Sequence, residues 1–257
     1  EIVIGDWSSD VCSSDLVHLN NFIMEKFHIL LDNGHGKNTK GKRSPVWDNG
    51  SQLLEYLYAR QTVNEVKMLL DTTYYREGIE VHIIVPEEED ISLSERAKRV
   101  NDIVHKFGKE NCLGISIHNN AFNGKATGWE VHTYLGNSVS DRYATIMWST
   151  ANQLLERESV PMRADWSDGD PDWDSNFAIL RQTNCPFILT ENGFMDNEKE
   201  CKWLLSGSGR KTIADIHVFG ILRCFEYWKA SSKDKGFYQG KVLTNDFNLK
   251  EVEQVRI

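Results

Sequence analysis

The sequence predicts an α/β fold, a single domain in which a mixed, mostly parallel sheet is covered by helices on both faces. Short apolar segments with the length of strands alternate along the chain with longer segments whose apolar residues recur at helical spacing. The 257 residues suffice for one sizeable core but are few for two full domains. Both observations favour one layered α/β domain.

The composition excludes several classes of protein. Hydrophobic residues make up 40% of the chain and charged residues 26%, which is typical of a globular enzyme. A formal charge of -9 argues against binding to nucleic acid, because the phosphate backbone requires a basic surface. No run of about 18 apolar residues is present, so we expect no membrane span. The four cysteines after Cys12 are widely spaced, and we expect free thiols rather than disulfides or a cysteine metal site.

The first 23 residues require separate treatment. Residues 6–16, DWSSDVCSSDL, read as the in-frame translation of a common sequencing adapter. We therefore expect residues 1–23 to be a non-native leader and Met24 to be the natural start; the alternative is a natural leader rich in Ser and Asp. From Met24 onward the sequence lacks the charged, apolar and small-residue regions of a secretory signal peptide.

Strands and helices alternate in the first half of the chain. Residues 27–32 (FHILLD) form the first predicted strand, because a short apolar run ends there at a Gly-rich turn. Residues 51–76 have apolar positions at helical spacing. A second strand follows at 79–85, and the capping motif SLSE opens a helix over 92–108. The buried run CLGISI predicts a third strand at 112–117.

The second half continues the pattern with one long interruption. A fourth strand is predicted at 128–134 and a helix at 140–158. Residues 161–176 are polar, acidic and aromatic, which is typical of a loop. The remaining predicted elements are short strands at 178–180 and 186–190 and helices at 198–205 and 210–228. Residues 230–257 are polar and without pattern, so we expect a tail or a truncated linker after a domain spanning 24–229.

Residues that can perform chemistry follow three of the predicted strands. The first strand ends in Asp32-Asn-Gly-His35-Gly, the third in Ser-Ile-His118, and a later one in Thr-Glu191. In open α/β sheets, functional groups gather beyond the carboxyl ends of the strands. Glu55 lies near the start of the first helix. Two histidines and one glutamate form a common zinc-ligand set, and a further carboxylate can act as general base.

Each of these residues also has an ordinary structural explanation. A Gly-His-Gly sequence is often a turn with a surface histidine, and His118 could be a hydrogen-bonded histidine of the core. Glu55 taken alone is typical of a solvated helix residue. Their joint appearance at the ends of separate elements is what favours a functional site.

The motifs, taken in order, resemble the zinc-dependent N-acetylmuramoyl-L-alanine amidases, whose catalytic domain has a carboxypeptidase-like α/β fold. They are DNGHG (32–36), LLEYLYAR (53–60), SLSERAKRVN (92–101), SIHNN (116–120) and LTENGFMDN (189–197). The resemblance covers residues 26–228. It implies hydrolysis of the amide bond between N-acetylmuramic acid and L-alanine in peptidoglycan, with Zn²⁺ as cofactor.

The resemblance also implies a role for each site residue. His35, Glu55 and His118 would hold the zinc, which lowers the pKa of a bound water and polarises the scissile carbonyl. Glu191 would be the catalytic carboxylate, taking the proton of the water and returning it to the departing amine of L-alanine. Asp32 would orient a ligand histidine, or else cap the Gly-rich turn.

Further residues are candidates for substrate contact. Asn120 would bind substrate or only complete the strand end, and Arg181 would bind a substrate carboxylate or carbonyl or form a surface ion pair. The acidic and aromatic loop at 168–177 would line a groove for the stem peptide, with Trp173 as a stacking surface. We expect Trp47 and its neighbour Asp48 to form the opposite wall.

The sequence departs from the family in one segment, since an acidic run (VPEEED, 85–90) stands where members commonly carry an arginine. No wall-binding repeat is recognisable. The alternatives are a zinc peptidase acting on stem peptides, which typically shows an HxxE pair not found here, and a non-catalytic wall-binding domain, which would have lost a ligand. We expect a monomer without a signal peptide, held in the cytoplasm and acting on the cell wall after release or lysis, as a phage lysin or an autolysin.

Overall fold

Six strands form one mixed sheet in the computed structural model, which describes residues 25–233. The strands are β1 (Phe27–Asn33), β2 (Ile79–Ile83), β3 (Cys112–Asn120), β4 (Trp129–Thr133), β5 (Trp173–Asp174) and β6 (Phe187–Phe194). Their order is β2-β1-β3-β6-β4-β5. The neighbours from β2 to β6 are parallel, β4 is antiparallel to β6, and β5 runs parallel to β4. The predicted leader and most of the predicted tail lie outside the described residues.

Helices cover both faces of this sheet. They are α1 (Glu55–Asp71), α2 (Leu93–Phe107), α3 (Val139–Leu155), α4 (Ala178–Gln182), α5 (Glu198–Leu205) and α6 (Gly207–Lys233). Side chains alternate across a strand, so Ile29 and Leu31 of β1 pack in the larger core with α1, α3, α5 and α6, whereas Leu30 packs in the smaller core with α2 and α4. Because β1 is buried on both faces, its centre is a continuous apolar run from Ile29 to Leu31. The predicted fold class is confirmed.

The structure corrects the sequence prediction in two places. The predicted strand at 178–180 is helix α4, whose Ile179 and Leu180 pack in the smaller core. Three apolar residues in a row have no periodicity that would distinguish a strand from a helical turn. The predicted loop at 161–176 contains strand β5, which pairs with His132 and Thr133 on the outer edge of β4.

Two strands extend further than predicted, and this extension positions the candidate site. β3 continues to Asn120 and β6 to Phe194, so His118 and Glu191 lie inside paired strands rather than in the loops beyond them. None of the described helices has both the length and the apolar character needed to cross a membrane. The four cysteines in the described part of the chain are free, as predicted.

Candidate active site

The turn after β1 requires a glycine on each side of His35. His35 itself has a positive φ of 61°, which is strained for a residue with a side chain. A Cβ on Gly34 would lie 2.2 Å from Cε1 of His118, and a Cβ on Gly36 would lie 2.0 Å from the backbone nitrogen of Asp90. The Gly-His-Gly sequence therefore allows the His35 turn to pass directly over the His118 ring.

Two buried arginines hold this strained turn in place. The carbonyl oxygen of His35 accepts hydrogen bonds from Arg60 Nη1 (3.0 Å) and Arg96 Nη2 (3.1 Å). Arg96 also donates to the carbonyl of Asn33 and to Oδ1 of Asp32, both at 2.7 Å. The guanidinium groups thus stabilise a backbone conformation that costs energy by itself.

Glu55 connects the two histidines of the site. It is the first residue of α1, and only 1% of it is exposed. Its Oε1 lies 3.1 Å from Nδ1 of His118 and 3.3 Å from Nε2 of His35, and it also accepts a hydrogen bond from the backbone nitrogen of Asn119. The His35 and His118 rings are nearly perpendicular, with centroids 4.9 Å apart. The structure thus brings the three predicted ligands together.

The donor set fits a zinc ion. The ligand atoms of His35, Glu55 and His118 all lie within 4.8 Å of one another. Around a tetrahedral zinc with bonds of about 2.0–2.1 Å, neighbouring ligand atoms are about 3.3 Å apart, close to the two distances observed here. Nε2 of His35 and Oε2 of Glu55 are buried and have no hydrogen-bond partner in the described part of the chain. Buried polar atoms normally have partners, so a cation would satisfy both.

A chain of hydrogen bonds orients the His118 ring. Nε2 of His118 lies 3.1 Å from the Ser116 hydroxyl oxygen, and that hydroxyl donates to Oδ2 of Asp32 at 2.5 Å. Because the Ser116 proton is directed to Asp32, the Ser116 oxygen accepts the N–H of His118 Nε2. This leaves Nδ1, on the Glu55 side of the ring, as the nitrogen that donates to Glu55 at 3.1 Å and that would bind a metal once it is deprotonated. Asp32 therefore reaches His118 through Ser116 and does not contact its ring directly.

Opposing influences set the charges in the ligand cluster. Burial acts to raise the pKa of Glu55, but the neighbouring His118 and His35 rings hold that pKa below its usual value. Burial acts to lower the pKa of His118, and the Glu55 carboxylate raises it above its usual value. The buried carboxylate and the two rings are therefore mutually stabilised.

Glu191 lies beside these ligands on β6. It pairs in register with His118 of β3 on one side and with Glu130 of β4 on the other. Burial raises the pKa of Glu191 to about 8 against the opposing charge of His118, and the carboxylates of Glu55 and Glu130 also act to raise it. Oε2 of Glu191 has no hydrogen-bond partner within the described residues. A partly buried carboxylate with a raised pKa is suited to accept and release a proton.

Glu130 organises a second group of side chains next to Glu191. It is 5% exposed and accepts hydrogen bonds from Asn120 Nδ2 at 2.7 Å and from Arg163 Nε. Nε2 of His132 lies 3.3 Å from Oε1 of Glu130. The Arg163 guanidinium also lies 5.8 Å from the centroid of the Trp173 ring. Asn120 and Trp173 are thus linked through the Glu130–Arg163 ion pair, which the sequence analysis did not identify.

The remaining candidates lie away from the ligand cluster. Arg181 is exposed on α4, and its Nη1 donates to the backbone oxygen and the side chain of Asn176. Trp47 is partly buried and packs against the larger core, while Asp48 is exposed. No hydrogen bond or ion pair within the described residues joins these three side chains to the ligands.

Residues that the sequence analysis missed have roles in holding the site together. Ser116 occupies an ordinary position in an apolar strand, although its place two residues before His118 puts both on the same face. Asn101, in the quoted motif SLSERAKRVN, donates to the carbonyl of Gln182 and accepts from the backbone nitrogen of Asn184, which fixes the loop that leads to β6. Asn197 caps α5 by accepting from the backbone nitrogen of Glu200 at 3.1 Å.

Comparison with known proteins identifies relatives over most of the chain. Residues 29–223 match the family described as N-acetylmuramoyl-L-alanine amidase. The chain is 30% identical to the N-acetylmuramoyl-L-alanine amidase CwlM of Bacillus licheniformis over 202 residues, covering 78% of this chain and 70% of the relative. It is 26% identical to the endolysin of Bacillus phage SPP1 over 208 residues, covering 79% and 68%.

A solved structure supports the same relationship. The N-acetylmuramoyl-L-alanine amidase from Clostridium difficile 630 superposes with a TM-score of 0.64 at 25% sequence identity. The superposition covers 79% of this chain and 98% of that protein.

Proposed function

The chain belongs to the N-acetylmuramoyl-L-alanine amidase family. From this membership we propose that it hydrolyses the amide bond between N-acetylmuramic acid and L-alanine. In this proposal His35, Glu55 and His118 are the zinc ligands and Glu191 is the catalytic carboxylate. The activity follows from the family and its relatives. The observation that supports the ligand set is the convergence of three donor groups, two of them with unsatisfied buried atoms, beside a carboxylate with a raised pKa.

Zn²⁺ at this position would polarise the scissile carbonyl and make water more acidic. The protein's contribution is orientation. The chain from Arg96 through Asp32 and Ser116 fixes the His118 ring, and the two glycines beside His35 allow its ring to approach. Preorganised ligands avoid the entropic cost of ordering at the moment of reaction.

Glu191 has the position and the protonation behaviour of a proton carrier. It takes a proton from the attacking water and delivers it to the nitrogen of the departing L-alanine, which leaves as a free amine. The neighbouring Glu55 and Glu130 carboxylates favour the protonated form of Glu191 after the first transfer. The same residue therefore serves as base and then as acid.

Three side chains are candidates for contact with the substrate. We assign Trp173 and Asn120 to the groove, because both are linked to Glu130 beside the catalytic carboxylate. Arg181 is exposed and available to a substrate carboxylate or carbonyl. Asp32 acts on His118 through Ser116. Trp173→Ala should raise KM with little change in kcat, as expected when binding energy is lost equally from substrate and transition state.

The test of the proposed activity is product analysis. The full chain is incubated with purified peptidoglycan, with and without a zinc chelator, and the soluble products are identified by mass spectrometry. We expect stem peptides with an unblocked L-alanine, lost on chelation and restored by Zn²⁺. Shortened stems that remain attached to muramic acid would instead establish a peptidase, and the absence of any metal-dependent product would support a binding domain.

Two variants make the test of Glu191 specific. Glu191→Gln should lower kcat by about 10²–10⁴-fold while zinc binding is retained, because the residue is a proton carrier and not a ligand. Glu198→Gln is the matched control, since Glu198 is an exposed glutamate on α5 that pairs only with Lys202 among the described residues. Loss of zinc from Glu191→Gln, or unchanged activity, would contradict this assignment.

The cell wall is the proposed place of action, in a lytic role. The similarity to a phage endolysin supports this role. All four site residues come from a single chain, so we also propose that the monomer is active. Light scattering during chromatography, at the protein concentration used for the assay, would test this. A protein that is active only as a dimer would overturn it.

A further inference from the structure

A second group of metal-binding side chains lies at the opposite end of β1. His28 is near the start of β1 and pairs in register with Glu80 of β2, and His82 follows two residues later on β2. Side chains alternate across strands, so all three project from the same face of the sheet. Five residue steps of β1 lead from His28 to Asn33, the end of the strand, so at about 3.3 Å per step this group lies about 17 Å from the start of the His35 turn.

The spacing of the donor atoms matches that of a metal site. Nδ1 of His28 lies 3.0 Å from Nε2 of His82, and Nε2 of His82 lies 3.7 Å from Oε1 of Glu80. The three ligand atoms lie within 4.8 Å of one another, as in the active-site cluster. Neighbouring ligands of a tetrahedral zinc are about 3.3 Å apart, so only small side-chain adjustments would be required.

The protonation state of the two rings favours a metal ligand. Burial lowers the pKa of His28 to about 4, and it also lowers the pKa of His82 below its usual value. Both imidazoles are therefore neutral at neutral pH and share a single N–H between Nδ1 of His28 and Nε2 of His82. When the donating ring moves that proton to its other nitrogen, both facing nitrogens present lone pairs and no proton is lost overall.

The surroundings hold the group in position. The Phe107 ring of α2 stacks on His28 with centroids 3.8 Å apart. Lys26 binds Oε2 of Glu80 at 3.0 Å, which leaves Oε1 directed toward His82. The His82 side chain is 22% exposed, so an ion and its remaining water ligand have access from solvent.

We propose that His28, Glu80 and His82 form a second site for a divalent transition metal, with Zn²⁺ as the preferred ion. Two imidazoles and one carboxylate suit zinc better than Mg²⁺ or Ca²⁺, which prefer oxygen ligands. The ion joins β2, the edge strand of the sheet, to β1. Lys26 and Lys106, whose ammonium group lies 4.7 Å from the Phe107 ring centroid, add positive charge nearby. This second site therefore binds zinc more weakly than the active site, and its assignment does not rest on the proposed function.

The test is a metal count on the metal-free full chain. Titration with Zn²⁺, followed by calorimetry and elemental analysis, should give two equivalents for the wild type. His82→Gln and Glu80→Gln should each bind one equivalent fewer, with amidase activity unchanged. His105→Gln is the matched control, because His105 is an exposed histidine on α2 outside the cluster. Circular dichroism checks that each variant is folded.

A variant of the first site distinguishes zinc binding at the two sites. Glu55→Gln should lose the tighter equivalent and the activity while keeping the weaker equivalent. Co²⁺ substitution provides a second reading, since the absorption bands of tetrahedral Co²⁺ should fall by about half in His82→Gln and remain unchanged in His105→Gln. A wild-type protein that binds one equivalent, or a His82→Gln variant that still binds two, would overturn the second site and leave the proposed amidase mechanism unaffected.

Discussion

Ser116 connects Asp32 to His118, because its hydroxyl donates to Oδ2 of Asp32 at 2.5 Å and its oxygen lies 3.1 Å from Nε2 of His118. The Asp32 carboxylate is in turn paired with Arg96 at 2.7 Å. The orientation of a proposed zinc ligand therefore depends on a serine that has no direct contact with Glu55 or Glu191 in the hydrogen bonds observed here.

Ser116→Ala should lower activity without unfolding the protein. Removing the hydroxyl leaves Nε2 of His118 without its acceptor, so the ring is free to change tautomer. Loss of such an outer partner typically reduces metal affinity or activity about 10–100-fold. The measurements are kcat and zinc affinity. Ser94→Ala, an exposed serine on α2, serves as the control, and equal values for the two variants would exclude an orienting role for Ser116.

Gly34→Ala should disrupt the site by steric conflict. The added Cβ would lie 2.2 Å from the His118 ring, which must move because the Gly34 backbone is fixed in the turn after β1. Overpacking of this kind costs about 1–3 kcal/mol in the free energy of unfolding. Activity should fall by more than 100-fold, since a displacement of about 1 Å can cost that much.

Gly207→Ala is the matched control for the Gly34 variant. A Cβ on Gly207 would meet no atom within 4 Å, and its φ lies outside the left-handed region. The activity of Gly207→Ala and its midpoint of thermal unfolding should equal those of the wild type. If Gly34→Ala retained full activity, the close approach of the His35 turn to His118 would be unimportant for catalysis.

The convergence of the candidate ligands was predictable because it depends on chain direction. Parallel strands place their carboxyl ends at one edge of a sheet, so His35 and His118 were expected to meet once their strands were recognised. The glycines that flank His35 can be read directly from the Gly-His-Gly motif in the sequence. The position of the helix that carries Glu55 followed from its apolar periodicity.

The supporting residues were not predictable, for physical reasons. Arg163 lies in an irregular segment with no periodicity, and its partner Glu130 is a charged residue in a strand whose burial depends on tertiary packing. Strand β5 is only two residues long and exists because β4 offers an unpaired edge. Such features arise from the assembled sheet and leave no local pattern.

Arg163→Gln should destabilise the protein by removing the guanidinium partner of the Glu130 carboxylate, which would keep only Asn120 and His132 beside it. Glu130 is 5% exposed, whereas the Arg163 side chain is 37% exposed. Solvent around Arg163 therefore screens part of the electrostatic attraction between the two side chains. We expect a loss on the order of 1–2 kcal/mol in the free energy of unfolding. The double variant with Glu130→Gln should recover part of this loss, because the uncompensated charge is then absent.

Chemical denaturation of the two single variants and the double variant measures that coupling. Arg76→Gln, an exposed arginine whose Nη1 donates to the neighbouring carbonyl of Tyr75, is the control and should change stability little. Strict additivity of the two single effects would show that Arg163 stabilises the protein by packing over Trp173 and Phe194 and not through Glu130.

Asp172 should make the stability of the protein fall as pH rises. It is 5% exposed and accepts a hydrogen bond from Thr133 at 2.6 Å. Burial, together with the neighbouring Asp170 carboxyl, raises the pKa of Asp172 to about 8. The ordinary pKa of an aspartate in the unfolded chain is about 3.9. Between these two values the folded protein binds more protons than the unfolded chain, so this contribution is complete below about pH 4 and is lost as pH rises through about 8.

Asp172→Asn replaces the carboxyl by a neutral group of the same shape and should remove this dependence. Relative to wild type, its stability should rise between pH 5 and pH 8.5 by an amount on the order of 1–3 kcal/mol. Thermal unfolding across this range is the measurement, and contributions from other groups cancel in the difference. Asp168→Asn, an exposed aspartate in the same loop, should follow the wild-type curve. Parallel curves for Asp172→Asn and wild type would mean that Asp172 is already ionised in the folded protein.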